Sequence, residues 1–523
     1  VLGGNNIKLA DQTYAIFAES SAIPATMQAA RCALAVYSMA PKVLRLLQSD
    51  CIRAYVQTKL KGPHKTFIRL PKAWWPKHWH DKGLVDPVCE LRLALYGHPR
   101  AGDMWHDKIR AVLIRNGFCP EEGWPSVFCR IATVNGKKYC LCFILYVDDL
   151  LMLGPEKVLA EVIVVVRKNI LMEDPTPMDR YLGCHHRFIA KGDVLKTTID
   201  MSKYFASKVE KFEAERPVTL KHVESPYIEK SPPDVLEHNL TTPGVYAPTC
   251  SSHLMGLLYG CRMAGPQLSI TIMRLTRFVT RWCLEQDRAL VRAFSWLKGH
   301  TDMILVGELW AADWDHVVLR SWPDSDLAGD YMTSKSTAGL FLELAGLEGR
   351  GFPITWSCRT SGSSAEHTQE AETLALSYTT KYDAMPVQMF LSKLMGRPLP
   401  LEVMEDNAAA ITAAQKGYSP SLRHLPRTQR TSIGSVHEIF FWNDEDEEEL
   451  ANLRFWGHLM EPKLDLEVPV GSVTLHKVDT KIHKGNFFTK TLTPMEFRVG
   501  PVSYTHLRAH ETDSYLVCRL LLE

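Results

Sequence analysis

Apolar residues run without a break from Tyr139 to Val147, stop at Asp148-Asp149, and resume from Leu150 to Leu153. Runs of this kind around a two-residue acidic break predict two strands with Asp148 and Asp149 at the tip of a hairpin. Upstream, Ala33 to Leu47 reads as an apolar, helix-like segment ending shortly before Asp50. From about Ser252 to Gly299 the apolar positions Leu257, Leu258, Cys261, Ile272, Leu275, Phe278, Val279, Leu290, Val291, Phe294 and Leu297 recur at near-helical spacing. That pattern predicts helices with one face toward a core. A second compact unit, from about Val317 to Glu438, opens with a strand at Val317-Val318-Leu319, and Thr368 to Leu376 reads as helix. Between these parts, residues 218 to 253 carry Ser225-Pro226, Ser231-Pro232-Pro233 and Thr241-Thr242-Pro243, which predicts a linker. The acidic run Asp444 to Glu449 reads as a solvated connection. Strands and helices intermixed in this way predict an α/β (α+β) chain, without a solenoid repeat.

Composition narrows the picture. Over 523 residues, 46% hydrophobic and 23% charged, the chain is neither largely disordered nor fibrous. At about 150 residues per domain, three to four domains are expected. A net charge of +1 excludes a polycationic nucleic-acid coat, but residues 1–154 hold 20 Lys and Arg against 12 Asp and Glu. Such a segment suits a channel for a phosphate backbone, or simply a solvated surface. Within it Lys59, Lys61, Lys65, Lys72 and Lys77 interleave with Phe67, Trp74, Trp75 and Trp79. Cations beside flat rings suit backbone neutralisation and base stacking, and rings beside Pro71 and Pro76 equally suit loop packing.

The nine apolar residues from Tyr139 to Val147 fall far short of the roughly 20 that cross a bilayer, so no membrane partner is expected. The start, Val1 to Asn6, has no basic or apolar leader pattern and reads as mid-protein. Thirteen cysteines without a CxxC pair suggest reduced, structural thiols and an intracellular location. His78, His80, His185 and His186 lack partners at zinc spacing, so no Cys/His metal cage is expected.

Adjacent carboxylates beside apolar strands are costly unless a cation neutralises them, which motivates a divalent-metal role for Asp148 and Asp149. An ordinary exposed Asp-Asp turn is the other reading. Asp50, five residues before Tyr55, supplies a third acid. Three carboxylates from separate segments can hold two metal ions for in-line phosphoryl displacement.

Together these segments resemble the reverse transcriptase of copia-type LTR retrotransposons. The matching residues are Asp50 with Ala54-Tyr55, Leu95-Tyr96-Gly97 with Trp105, Asn116-Gly117-Phe118, Tyr146-Val147-Asp148-Asp149, Tyr181-Leu182-Gly183 and Phe294-Ser295-Trp296-Leu297-Lys298-Gly299. In order, they cover most of residues 25 to 310. The resemblance implies a right-hand polymerase layout in which Asp50, Asp148 and Asp149 hold two Mg²⁺ ions, with Mn²⁺ as the alternative. It also makes Tyr55 the ring that stacks under the incoming deoxyribose and rejects a 2′-hydroxyl, which is a steric exclusion. Gly97 and Arg100 fall in the nucleotide-contacting segment, where Leu95-Tyr96-Gly97-His98-Pro99-Arg100 replaces the family's Leu-Tyr-Gly-Leu-Lys-Gln. The family's fingers begin upstream of what Val1 to Ala25 can match.

A second acidic set comprises Asp324, Glu372 and Asp406, on three segments expected as strand end, helix and strand end. Read from the residues, it is either another two-metal layout or scattered surface acids with helix caps. Here Asp324-Ser325-Asp326-Leu327-Ala328-Gly329-Asp330, Ser336-Thr337-Ala338-Gly339, Thr355-Trp356-Ser357, Glu370-Ala371-Glu372 and Glu405-Asp406-Asn407-Ala408 resemble the RNase H domain of the same elements. The resemblance makes Asp324, Glu372 and Asp406 metal ligands, two Mg²⁺ again, with Glu370 the substitute for Glu372. The family's fourth acid is replaced by Pro426, and His437-Glu438 is a candidate to compensate. Phe487-Phe488-Thr489-Lys490 looks like the family's closing Phe-Thr-Lys segment.

The implied layout is partial fingers and palm over 1–154, palm end and thumb over 155–217, and linker and connection over 218–315. An RNase H-like domain follows over 316–440, a C-terminal extension over 441–500, and a tail at 501–523 that resembles translated vector sequence. The implied function is RNA-directed DNA synthesis with hydrolysis of the hybrid's RNA strand. Its partners are an RNA template, a DNA primer, RNA–DNA hybrid, dNTPs and the rest of a retroelement polyprotein, in the particle-associated cytoplasm and the nucleus. The alternative is a truncated, catalytically inactive relic that at most binds nucleic acid. Pro426, Arg100, the start and the tail favour that alternative, while intact Asp50, Tyr55, Asp148 and Asp149 oppose it.

Overall fold

Helix α1 (Met27–Met39) stops two residues short of Pro41, which has no amide hydrogen to continue a helix. Strand β1 (Leu44–Asp50) follows, so the expected helix-like segment to Leu47 is half right. Leu44 and Leu46 are buried and alternate with half-buried Arg45 and Leu47, a period of two that a helix template misreads. This is a computed structural model, and it describes residues 23–61, 65–192, 194–227, 231–329, 334–362, 364–441, 472–499 and 506–508. The expectations for the chain start, for Asp444 to Glu449, for most of the 441–500 extension and for most of 501–523 lie outside the described residues. Residues form two units, one of residues 1–33 and 42–178, the other of 34–41 and 179–523.

In the first unit, a small antiparallel pair, β2 (Phe67–Arg69) and β3 (Val88–Glu90), flanks the short helix α2 (Lys77–Asp81). Helix α3 (Ala101–Arg115) leads to β4 (Cys119–Pro120), β5 (Val127–Val134), β6 (Lys137–Tyr146), β7 (Asp149–Pro155), helix α4 (Glu156–Arg167) and β8 (Thr176–Pro177). Asn135-Gly136, both at positive φ, close the β5–β6 hairpin, the turn whose twist matches the strands. The sheet order is β4-β5-β6-β7-β1-β8, antiparallel throughout. One face is covered by Trp105, Ile109 and Val112 of α3 and by Leu159, Val162 and Val166 of α4, packed on Leu141, Phe143, Leu145, Leu150 and Met152. Cys140 and Cys142 are both buried in β6, as small hydrophobes.

The second unit opens with β9 (Arg180–Tyr181), β10 (Cys184–Lys191) and β11 (Val194–Asp200). Helices α5 (Ser202–Glu215), α6 (Pro233–Thr241), α7 (Cys250–Met263), α8 (Ser269–Thr276) and α9 (Leu284–Lys298) follow, then β12 (Met303–Trp310). Helix α6 falls inside the expected linker: Pro233 at its first position is helix-compatible, because that amide would be unpaired anyway. Buried Glu285 of α9 bonds Ser231 and Asn239, which ties the segment down.

A mixed sheet completes the unit. Its strands are β13 (Val318–Ser325), β14 (Thr337–Ala345), β15 (Gly351–Thr360), β16 (Leu401–Glu405) and β17 (Val473–Lys477), in the order β15-β14-β13-β16-β17. Strands β13 to β15 are antiparallel, whereas β16 runs parallel to both β13 and β17. Helices α10 (Thr368–Thr379), α11 (Met385–Met395), α12 (Ala408–Lys416), α13 (Leu425–Thr428) and α14 (Ile433–Phe440) accompany it. Strand β18 (His506–Arg508) pairs with β12 at the edge of β12-β11-β10-β9, so three residues of the tail set aside from sequence join a sheet.

Phe212 of α5 and Phe294 of α9 stack with centroids 3.9 Å apart at 5° and are fully buried. Phe294→Ala therefore costs the second unit about 3–5 kcal/mol. A urea midpoint close to wild type would contradict that packing.

Candidate active sites

Asp50 is the last residue of β1 and Asp149 the first of β7, and they sit opposite each other in the antiparallel register. Tyr146 pairs with Asp149 across β6–β7, leaving Val147 and Asp148 as a two-residue turn. The tip of the hairpin is thus one residue earlier than expected, with Asp149 inside the strand. Val147 has φ +59, a region that costs a β-branched residue about 1–3 kcal/mol. Two bonds hold it there. The buried Trp105 indole donates to the Val147 carbonyl at 2.7 Å, and the Cys51 amide donates to the Asp148 carbonyl at 2.8 Å. The register and the turn thus bring the three acids of the first set to one strand edge.

Their electrostatics agree. Burial, then Asp148 and Asp50, push the Asp149 carboxyl up to about 6. Burial, then Asp148 and Glu173, also raise Asp50, against the hydrogen bond that the Cys51 backbone amide offers its carboxyl. The Cys51 thiol beneath them is pushed up to about 12, by burial and then by all three acids.

Tyr55 stands at the start of a single 3₁₀ turn and lies against Tyr96, rings 4.4 Å apart. Burial, then the Asp148 charge, raises both phenols. Gly97, at φ +94, permits the turn closed by the His98 amide on the Leu95 carbonyl, and so places Tyr96 beside Tyr55. Arg100 precedes α3 and donates to the Lys61 carbonyl at 3.3 Å. Gln57 was not singled out from sequence. Its amide bonds the Ile52 and Leu171 carbonyls and the Leu171 amide at 2.8, 2.7 and 2.8 Å, fixing the segment that carries Tyr55. Of the basic-aromatic interleave, Trp75 donates to the Leu70 carbonyl and packs against Trp79, with Lys72 over its ring, while Trp74 is exposed.

The second set is assembled by parallel pairing. Because β13 and β16 run the same way, their C-terminal ends bring Asp324 and Glu405-Asp406 to one edge, and α10 packs on β13 and brings in Glu372. Asp324, Glu372 and Glu405 are all at most 3% exposed. Burial dominates and pushes all three carboxyls upward, with Asp324 and Asp406 raising Glu372 and Glu405 further. One ammonium answers them: Lys490 donates to Asp324 Oδ1 at 3.1 Å, and Thr489 donates to Oδ2. Burial works against that ammonium, yet Asp324, Glu372 and Asp406 hold it above its ordinary range.

Residues 483–490 reach this edge because two glycines let them. A Cβ on Gly339 would meet Thr489 at 2.6 Å, and one on Gly485 would meet Asp324 at 2.7 Å. Among the described residues, Asp324, Asp406 and His483 form the one set whose ligand atoms all lie within 4.8 Å of one another. His483 was not singled out from sequence, and none of His78, His80, His185 and His186 belongs to this set. A lone histidine between Ile482 and Lys484 carries no spacing signal, whereas the Gly485 and Thr489-Lys490 pattern could have pointed to the segment.

Glu370 does not substitute for Glu372. Its Oε2 accepts from the Glu366 amide at 2.8 Å, just before α10, and its Oε1 faces His424, just before α13, at 3.1 Å, so both oxygens are engaged elsewhere. His437 bonds the Ala414 carbonyl and Glu438 acts on Lys381, and neither belongs to the Asp324 set. Pro426 sits in the first turn of α13, a position compatible with proline.

Residues 18–221 match the family described as reverse transcriptase (RNA-dependent DNA polymerase), a span that contains the first acid set and not the second. The chain is similar to the retrovirus-related Pol polyprotein from transposon TNT 1-94 of Nicotiana tabacum, 23% identical over 358 residues, 67% of this chain and 25% of that protein. It is also similar to those from transposons RE2 and RE1 of Arabidopsis thaliana, each 24% identical over 58% of this chain and 19% of the relative. The chain spans about a fifth to a quarter of the length of the curated relatives it matches. A crystal structure of prototype foamy virus protease–reverse transcriptase aligns over 95% of this chain and 72% of that one, at 10% identity and a TM-score of 0.16, too low to bear on the fold. No helix among the described residues is long and apolar enough to cross a membrane.

Asp149 ionises near 6 in the folded chain and at 3.8 in the unfolded one, so unfolding favours ionisation. Stability contributed by the protonated form is present below pH 3.8 and is lost as pH rises to about 6. Melting temperatures across that window should fall less steeply in Asp149→Asn, and parallel curves for the two chains would contradict the assignment.

Proposed function

We propose that residues 18–221, which match the reverse transcriptase family and lie in a chain similar to Pol polyproteins of plant retrotransposons, copy RNA into DNA at the Asp50, Asp148 and Asp149 edge. The observation that carries this reading is the register that sets Asp50 opposite Asp149 beside a turn holding Asp148. Three carboxylates, two of them raised by burial and then by neighbouring acids, are a hard-oxygen donor set that suits Mg²⁺. When bound, Mg²⁺ or Mn²⁺ there supplies Lewis-acid neutralisation of phosphate charge.

The chain's own residues do the positioning. Trp105 and the Cys51 amide fix the strained turn, so Asp148 is presented without reorganisation at the moment of reaction. Tyr55, backed by Tyr96 and anchored through Gln57, is the flat wall against which a deoxyribose packs and a 2′-hydroxyl collides. Arg100, held toward Lys61, adds positive charge for the triphosphate. A templated attack of a primer 3′-hydroxyl on the α-phosphate of a dNTP is the reaction this arrangement serves, with the template RNA read by base pairing.

We further propose that the mixed sheet carries an RNase H-like site. The three antiparallel strands followed by two parallel ones, with Asp324, Glu372 and Asp406 converging at one edge, support hydrolysis of the RNA strand of a hybrid. Nucleic-acid partners, a polyprotein context and a particle-associated or nuclear location belong to the same proposal.

Primer extension on an RNA template with Mg²⁺ tests the reading. Asp148→Asn should lower the rate at least about 100-fold with primer–template affinity near wild type. Extension unaffected by the substitution would remove the site. Absent extension from the unmodified chain, with hybrid binding retained, would favour the non-catalytic relic.

A further inference from the structure

His483 is 2% exposed, and its two ring nitrogens are in different circumstances. Nε2 lies 2.8 Å from the Met404 carbonyl, which can only accept, so Nε2 carries the proton. Nδ1 is buried and without a hydrogen-bond partner, and His483 belongs to the group whose ligand atoms lie within 4.8 Å of one another with Asp324 and Asp406. A buried imidazole nitrogen without a hydrogen-bond partner beside carboxylates is stabilised when a cation fills the space between them. Glu372 Oε2 and Glu405 Oε2 are buried and unpartnered, and both carboxyls feel the Asp324 and Asp406 charges. The Met404 carbonyl in turn has the role that outer-shell acceptors have for metal-bound histidines: it fixes the tautomer and the ring plane.

We propose that His483 Nδ1 is a metal ligand, which with Asp324 and Asp406 makes a mixed nitrogen–oxygen site that favours a first-row divalent cation such as Mn²⁺ over Mg²⁺. Imidazole nitrogen suits Mn²⁺ less than it suits later metals, but it disfavours Mg²⁺ most, since Mg²⁺ demands hard oxygen ligands and keeps its waters. The inference rests on the RNase H-like reading of this edge and adds a ligand to it, on the segment that Gly339 and Gly485 let approach β13 and β14. Lys490 already neutralises Asp324 Oδ1, so a cation bound between Asp324, Asp406 and His483 shares that carboxylate with the ammonium through its remaining lone pairs.

The test uses the full chain carrying Asp50→Asn, Asp148→Asn and Asp149→Asn, so that the first acid set is silent. Mn²⁺ is added, and electron spin-echo envelope modulation reads whether nitrogen is coupled to the bound ion. The expected result is a ¹⁴N modulation that disappears in His483→Gln, with Mn²⁺ affinity lowered about tenfold or more. Mg²⁺ should compete less well against Mn²⁺ with His483 present than with Gln. Mn²⁺ bound in a way that Asp406→Asn abolishes, yet with no ¹⁴N modulation, would overturn the role of His483 and leave the carboxylate site standing. Binding insensitive to Asp406→Asn would overturn both. If His483→Gln fails to fold, the spectrum of the His483-bearing chain still decides.

Discussion

Carboxylates held close together repel one another and, where buried, lose hydration, and each acid cluster in this chain is built against that cost. At the first, the β1–β7 register and a valine at positive φ force Asp50, Asp148 and Asp149 to one edge, and burial, then the Asp148 and Asp50 charges, drive Asp149 up to about 6. Nothing but surrounding structure keeps such an arrangement in place: the α3 and α4 helices pack the sheet from one side, and Trp105 from that same core reaches the carbonyl of the turn. The helices' apolar faces thus position the chemistry as well as covering the sheet.

The second cluster meets the same constraint differently. Asp324, Glu372 and Glu405 are nearly inaccessible, and the Lys490 ammonium together with Thr489 satisfies Asp324. Those partners lie some 160 positions away in sequence, 165 for Thr489 and 166 for Lys490, and arrive only because Gly339 and Gly485 leave room. Lost room at either glycine would therefore act on the acids without touching them.

Much of this was legible in the residues, and the reasons differ by element. The Tyr139–Gly154 hairpin was readable because apolar runs broken by two acids leave little choice, though the turn fell one residue earlier, since pairing of Tyr146 with Asp149 depends on strand register and not on composition. Asp324, Glu372 and Asp406 were named from motif resemblance, and their convergence follows from parallel pairing of β13 with β16, a long-range fact that no local pattern contains. The segment from Ala33 to Leu47 was misread because four leucines and valines before Asp50 fit a helix as well as a strand until Pro41 is weighed. Glu370 was misassigned because two acids two residues apart on a helix face different ways, one toward the sheet edge and one toward the helix start. His483 and Gln57 were missed because their partners are backbone carbonyls, which carry no sequence signature.

The most direct test of the claim that both acid clusters exist to hold cations is anomalous diffraction from crystals of the chain grown with primer–template, a dNTP and Mn²⁺. The account predicts anomalous peaks beside Asp50, Asp148 and Asp149 and a separate peak between Asp324 and Asp406. Well-ordered carboxylates at both places with no peak at either would contradict it.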